Sequence, residues 1–363
     1  MLIAFRVDAS HYIGAGHGMR CLTLAKSLNT MLQNWVPDIQ MTFVATKGAD
    51  MLLGLIREQG FGYIEVDDIA SSVAHIPADL WIIDHYQLDQ RFESELVNAG
   101  KKVMVIDDLA NRDHHCDLLL DCNLTDNFTQ RYQHLIPEKC EVLLGPQYAL
   151  LREEFYLDGS SHQQTHSAAP RVLICFGGSD PVNMTTTALD ALELCKESRL
   201  SADVVIGSSH RNKQDILERV SHCQHIDVHI DCTYMAALMR KADVMIGAGG
   251  SMHWERCISQ LPGLVVTIAE NQIESTVCVS KQEACVYAGH YNEVSAKCIA
   301  SLLTAMLSDT NKLAAMAQQA GAILPAKAGT PEVCRQIIRH LLPEVNLMIQ
   351  QRQQHQQHQQ QQQ

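Results

Sequence analysis

Short runs rich in aliphatic and β-branched residues alternate along the chain with stretches whose apolar positions return every three or four residues. The runs "LIAFRV" (2–7), "MTFVAT" (41–46), "LWIID" (80–84), "KVMVID" (102–107), "DLLLD" (117–121) and "EVLLG" (141–145) are nearly continuous in apolar character. Such runs are expected of parallel strands buried on both faces rather than of strands with one wet side. Between the first two, Met19, Leu22, Ala25, Leu28 and Leu32 keep helical spacing, so the pattern predicts strands joined by crossover helices.

The rhythm stops at "DGSSHQQTHSAAP" (158–170), a polar stretch that ends in proline and reads as a linker. It resumes with "RVLICF" (171–176), "DVVIG" (203–207), "DVHI" (227–230), "DVMIG" (243–247) and "LVVTI" (264–268). The expected architecture is α/β and GT-B-like, two Rossmann-like domains with parallel sheets facing a cleft. The expected boundaries are 1–157 for the first domain, 171–349 for the second, and 350–363 for a disordered tail made almost wholly of glutamine.

With 363 residues the chain is long enough for two ordinary domains. Twenty-eight Lys and Arg against 41 Asp and Glu give a formal charge of −13, and no basic block interrupts it. A nucleic-acid partner is therefore not expected, and an anionic ligand must be held locally by backbone amides and helix N-termini. The 13 cysteines form no C-x-x-C pair and no leader-like start precedes the first strand, which fits reduced thiols in a cytoplasm. No apolar run reaches the roughly 18 residues of a membrane span, so no membrane partner is expected. The chain is expected to act as a monomer.

The candidate chemistry gathers where strands end. In open α/β sheets ligands bind at the carboxyl ends of strands, where loop amides and helix N-termini converge. The first such place is "RVDASHYIGAGHGMR" (6–20), with Gly14, Gly16 and His17. It lacks the G-x-G-x-x-G spacing of a dinucleotide site, so no nicotinamide cofactor is expected. His17 either hydrogen-bonds the loop or serves as a general base; Asp8 and Ser10, just upstream, either orient it or stabilise the turn. "IIDHYQLD" (82–89) and "VIDDLANRDHHCD" (105–117) place Asp84, His85, Tyr86, Asp107 and Asp108 on the same edge. Their spacings match no standard zinc pattern, and no metal is expected.

In the second domain "CFGGSDPVNMT" (175–185) offers amides around Gly178, with Ser179 or Asp180 as a cap and Pro181 suited to a first helical position. "IGAGGSMHWERCISQLPGLVVTIAENQ" (246–272) brings Gly249 and Gly250, Ser251 as a helix cap, Glu255 one turn in, and Asn271 and Gln272 after the next strand. A glutamate there suits the two hydroxyls of a ribose while the amides hold phosphate.

Taken in order, these segments together with "VIDDLANRDHHCDLLLDCN", "LLGPQYALLREEF" and "FGGSDPVN" resemble the UDP-2,4-diacetamido-2,4,6-trideoxy-β-L-altropyranose hydrolases of pseudaminic acid biosynthesis, over residues 1 to about 340. Those enzymes are relatives of GT-B glycosyltransferases, above all the transferase that adds N-acetylglucosamine in making lipid II. The resemblance implies water attack that frees UDP from a UDP-linked diacetamido sugar, without cofactor or metal. It puts the catalytic histidine on His17, a cleft tyrosine on Tyr86 and nucleotide-sugar contacts on Glu255 and Asn271. A GT-B transferase using a UDP-amino-sugar donor would share the donor loops; its lipid-acceptor form would need an apolar patch ringed by Lys and Arg, where only Lys101 and Lys102 stand together. A non-catalytic nucleotide-sugar binder would need no titratable His17.

Overall fold

The computed structural model describes residues 1–8, 16–47, 50–157, 169–195 and 200–361. Its strands are β1 (Leu2–Val7), β2 (Gln40–Thr46), β3 (Gly62–Val66), β4 (Leu80–Asp84), β5 (Lys102–Ile106), β6 (Leu118–Asp121), β7 (Glu141–Leu144), β8 (Arg171–Cys175), β9 (Ser201–Ile206), β10 (Ile226–Ile230), β11 (Val244–Ala248), β12 (Gly263–Thr267) and β13 (Val286–His290). The helices are α1 (Gly16–Leu32), α2 (Asp50–Glu58), α3 (Gln90–Asn98), α4 (Met184–Leu194), α5 (Lys213–Val220), α6 (Met235–Lys241), α7 (Ser251–Ile258), α8 (Ile273–Lys281), α9 (Ala296–Leu307), α10 (Thr310–Ile323), α11 (Thr330–Leu341) and α12 (Pro343–Gln361).

The first unit holds a parallel sheet of order β3-β2-β1-β4-β5-β6-β7. Its central strands are buried along their length, β4 at every position, as the unbroken apolar runs require. One face packs Phe5, Phe43, Ile82 and Leu120 against Leu24, Leu28 and Leu32 of α1 and Val333, Ile337 and Leu341 of α11. The other face packs Trp81, Val103 and Leu119 against Phe92, Leu96 and Tyr132. The second unit has the order β10-β9-β8-β11-β12-β13, again parallel throughout. In chain order that is third, second, first, fourth, fifth, sixth, the doubly wound arrangement in which the first and fourth strands flank the switch point. The two α/β units with parallel sheets match the expected fold class.

The expected domain limits need correction. The first unit comprises Met1–Asn123, Asn127–Leu151 and Lys327–Gln363; the second comprises Leu124–Asp126 and Arg152–Ala326. The boundary at 349 therefore moves back to 326, because α11 buries Val333, Cys334, Ile337, Ile338 and Leu341 on the first sheet's core. Each such side chain taken out of water contributes about 1.5–3 kcal/mol. Thr330 pins the start of α11: its hydroxyl donates to the Leu151 carbonyl and accepts from the Leu151 amide, both at 2.7 Å. Residues 158–168 of the expected linker lie outside the described residues. The expected disorder is also corrected for 350–361, since α12 runs through Gln361, while residues 362 and 363 lie outside the described residues; glutamine is a good helix former, and the stretch contains neither glycine nor proline.

Candidate functional site

In the first unit the switch point lies between β1 and β4, which pair in parallel from Ile3↔Leu80 to Val7↔Asp84. The chain leaving β1 reappears as α1, and β4 ends on Asp84, so α1 and the β4 loop meet there. His17 Nδ1 lies 2.5 Å from Asp84 Oδ1. A carboxylate accepts only, so Nδ1 carries a proton and donates, and in the neutral ring the Nε2 lone pair is then free. Arg20, one turn further along α1, donates from Nε to Asp84 Oδ2 and from Nη2 to Asp84 Oδ1, both at 2.5 Å, and from Nη1 to Asp108 Oδ2 at 3.2 Å. Tyr86 donates its hydroxyl to the same Asp108 oxygen at 3.0 Å and sets its ring edge-on to His17, centroids 4.5 Å apart.

Asp84 is fully buried. Burial alone would raise its carboxyl, but the neighbouring Arg20 and His17 hold it well below the usual carboxylate range. Burial lifts the Tyr86 phenol above its ordinary range, and Asp108 adds to the rise. Tyr86 therefore stays a neutral donor.

The expected orienting residue is corrected. Asp8 accepts from Arg6 Nη1 at 2.8 Å, from the Thr46 amide at 2.8 Å and pairs with His85 Nε2 at 3.0 Å; the carboxylate on His17 is Asp84. Proximity in sequence favoured Asp8, whereas pairing of β1 with β4 brings a residue 67 positions away. Ser10 and Gly14 lie outside the described residues, and Gly16 is the first residue of α1. Arg20 escaped the sequence reading, although its position three residues after His17 sets both on one helical face.

In the second unit the loops after β8 and β11 flank the switch point. Gly178 is exposed in the β8 loop, and its carbonyl accepts from the Gly207 amide at 2.9 Å. A Cβ on Gly207 would sit 2.5 Å from that oxygen, so the two loops close on each other only with glycine there. Pro181 does not open a helix: α4 starts at Met184, and the buried Asp180 carboxylate takes the amides of Met184 at 3.1 Å and Thr185 at 2.7 Å. Ser251 is likewise not the cap but the first residue of α7, and Gly250 at φ 78° is the cap. That backbone region is open to glycine without strain.

Gly249 lies against the next turn. A Cβ there would be 2.7 Å from Thr276 Oγ1 and 3.1 Å from Gln272 Cβ. Gln272 Oε1 accepts from the Ile268 amide at 2.9 Å, fixing the "AENQ" turn beside Gly249 and Gly250, while Asn271 is exposed on the same turn. Glu255 accepts from Arg152 Nη2 at 3.2 Å, and Arg152 also pairs with Glu154 at 3.0 Å. Burial pushes the Glu255 carboxyl upward against the pull of Arg152. No local signal linked Arg152 to Glu255, 103 residues apart. His253 is buried behind this loop, paired with Thr276 Oγ1 at 2.8 Å; burial drives it down to about 3, so it is neutral. The structure thus groups Gly249, Gly250, Ser251, Gln272 and Asn271, with Glu255 one turn along α7, and groups His17 with Tyr86. Among the described residues no three His, Cys, Asp or Glu side chains are arranged to hold a metal ion, and no helix is long and apolar enough to cross a membrane.

Residues 172–333 match the glycosyltransferase family 28 C-terminal domain. The chain is 28% identical over 288 residues to the UDP-2,4-diacetamido-2,4,6-trideoxy-β-L-altropyranose hydrolase of Campylobacter jejuni, covering 78% of this chain and 97% of that one. It is 28% identical over 287 residues to an uncharacterised protein of Methanocaldococcus jannaschii, covering 76% of this chain and 57% of that longer one. Among solved structures it superposes on MurG of Acinetobacter baumannii with a TM-score of 0.64 at 13% identity, over 93% of this chain and 99% of that one. The protein therefore has the GT-B fold, is similar over residues 172–333 to the glycosyltransferase family 28 C-terminal domain, and resembles the UDP-diacetamido-trideoxy-altropyranose hydrolase as its sequence motifs indicated.

Proposed function

We propose that the protein hydrolyses UDP-2,4-diacetamido-2,4,6-trideoxy-β-L-altropyranose to UDP and the free sugar, by attack of water at the anomeric carbon with inversion and without a metal. The observation that carries the reading is the contact of His17 Nδ1 with the buried Asp84, which leaves Nε2 to take the proton of the attacking water. Likeness to the Campylobacter hydrolase supports the substrate class. In this scheme Tyr86 lies beside the sugar, and the loops at Gly178 and Gly249 to Ser251 offer their amides to the diphosphate as charge develops on the leaving group. Glu255 holds the ribose, and Asn271 and Gln272 complete the nucleotide-sugar contacts. UDP is a good leaving group, so correct placement of water and base supplies most of what the reaction needs. The cysteines are all unpaired, which supports a reducing, cytoplasmic setting.

The match to a glycosyltransferase domain favours a second reading, transfer of the same kind of sugar to a hydroxyl acceptor. Proton NMR of the UDP-sugar with purified protein, without acceptor or added metal, separates the two. Release of UDP with an inverted free sugar is expected. An intact substrate that is consumed only when an acceptor is added would establish transfer and overturn hydrolysis.

A further inference from the structure

The guanidinium of Arg20 is the node of the first unit's site. It binds Asp84 through two nitrogens and Asp108 through the third, and these carboxylates hold His17 and Tyr86 respectively. Its Nη2 also lies 3.1 Å from His17 Nδ1. With Nδ1 donating to Asp84, two donors face each other there, so this approach is a repulsion rather than a bond.

Resting on the hydrolase reading above, we propose that Arg20 is a positioning residue that keeps His17 in its single-proton form. It does so by neutralising the buried carboxylate that would otherwise draw a second proton onto the imidazole. A desolvated carboxylate beside an imidazole favours the imidazolium, since the pair then compensates its own burial. The fork of Arg20 satisfies Asp84 in advance and sets a like charge beside the ring. A doubly protonated His17 has no lone pair and is no base.

Among the described residues, charged and titratable groups stand around His17 on each neighbouring element. On α1 itself stand Arg20 and Cys21, whose thiol donates to Asp84 Oδ2 at 3.6 Å. From the end of β4 come Asp84, Tyr86 and His85, the last turned to Asp8 at 3.0 Å. At the end of β1 Asp8 is matched by Arg6, and beyond β5 Asp108 is shared by Arg20 and Tyr86. Cys122, after β6, is a half-buried thiol near Arg20 raised to about 12 chiefly by desolvation, hence uncharged. Arg20 is thus the cation set against both Asp84 and Asp108.

The test is Arg20→Met, with Arg20→Gln as a variant that keeps a donor to Asp84 but not the charge. In protein labelled with 15N-histidine, His17 is assigned by its loss in His17→Asn and its ring nitrogens are followed at pH 7.5. The wild type should show one protonated nitrogen and both variants two. The low-pH limb of kcat/KM should move up by about two pH units, a loss of well over tenfold at pH 6.5, with UDP affinity by calorimetry unchanged. Arg20→Lys should restore most of the wild-type profile, and Arg20→Met combined with Asp84→Asn should return His17 to one proton. A variant whose His17 keeps a single proton and whose pH profile superimposes on the wild type's overturns the proposal. The nitrogen signals are read without turnover, so they judge Arg20 even if the UDP-sugar proves not to be hydrolysed, an outcome that would count against the hydrolase reading alone.

Discussion

Raising the pH from 6.5 to 9.5 should remove about 3 kcal/mol of stability from the first unit through one side chain, His114. Its imidazole is fully buried, with Nδ1 2.8 Å from Glu93 Oε1 and Nε2 3.8 Å from Asp107 Oδ2. Burial pulls it down, but the hydrogen bond with Glu93 and the charges of Glu93 and Asp107 raise it to about 9, against about 6.5 for an unfolded histidine. A group whose folded value lies above its unfolded one stabilises fully below the unfolded value and loses that contribution as the pH climbs through the folded value. The window is therefore 6.5 to 9. A gap of about two and a half pH units at about 1.36 kcal/mol each comes to about 3 kcal/mol, undiminished by solvent because the pair is dry. For a unit of this size that is roughly 6–12 °C in Tm. Thermal unfolding of wild type and His114→Gln at half-unit steps from pH 6 to 9.5 measures it. Taking the difference cancels the titrating groups that do not touch His114. The wild type's advantage should be greatest at pH 6 and shrink by about 3 kcal/mol by pH 9.5; two parallel curves would show that His114 carries no extra proton in the folded protein.

Three further substitutions probe the site and its support. His17→Asn should cut kcat by about 10²-fold or more while UDP still binds, and equal turnover would remove His17 from the role of base. Glu255→Ala should weaken UDP binding about tenfold, or about 1.4 kcal/mol; calorimetry showing unchanged affinity would rule out a ribose contact. Gly263→Ala should cost about 2 kcal/mol, because the new Cβ would stand 2.6 Å from Arg256 Cδ. Arg256 is buried and pinned to the Leu261 and Ala284 carbonyls at 2.8 and 2.7 Å, leaving it nowhere to move; a urea midpoint within error of wild type would refute this.

The central strands were legible because strands buried on both faces carry unbroken apolar runs. Of the edge strands, β7 and β10 were legible too, but the other two were not. β3 ("GYIEV") and β13 ("VYAGH") are half-exposed edge strands, and their mixed composition does not separate from loop. The glycine loops and His17 were readable as strand-to-helix junctions. Their partners were not, because Asp84 and Arg152 reach His17 and Glu255 only through sheet pairing and chain return across 67 and 103 residues. Local reasoning therefore chose the nearer Asp8 and made Ser251 a cap where the backbone of Gly250 does that work. The second domain's end was misplaced for the same reason: an amphipathic helix such as α11 announces that it packs, but not against which sheet.

That return of α11 orders events during synthesis. The sheet that pairs β1 with β4 is made from the first 151 residues, yet the apolar face that α1 covers in part lacks α11 until residues 330–341 have left the ribosome. Nearly all of the second unit is a continuous stretch that emerges in between and can collapse first. The nascent N-terminal half must therefore wait with Leu24, Leu28 and Phe43 partly bare, and a chain stopped near Ala326 would carry a finished second unit joined to an unclosed first one. Chaperone demand and proteolytic loss should fall on the amino-terminal portion, even though it is made first.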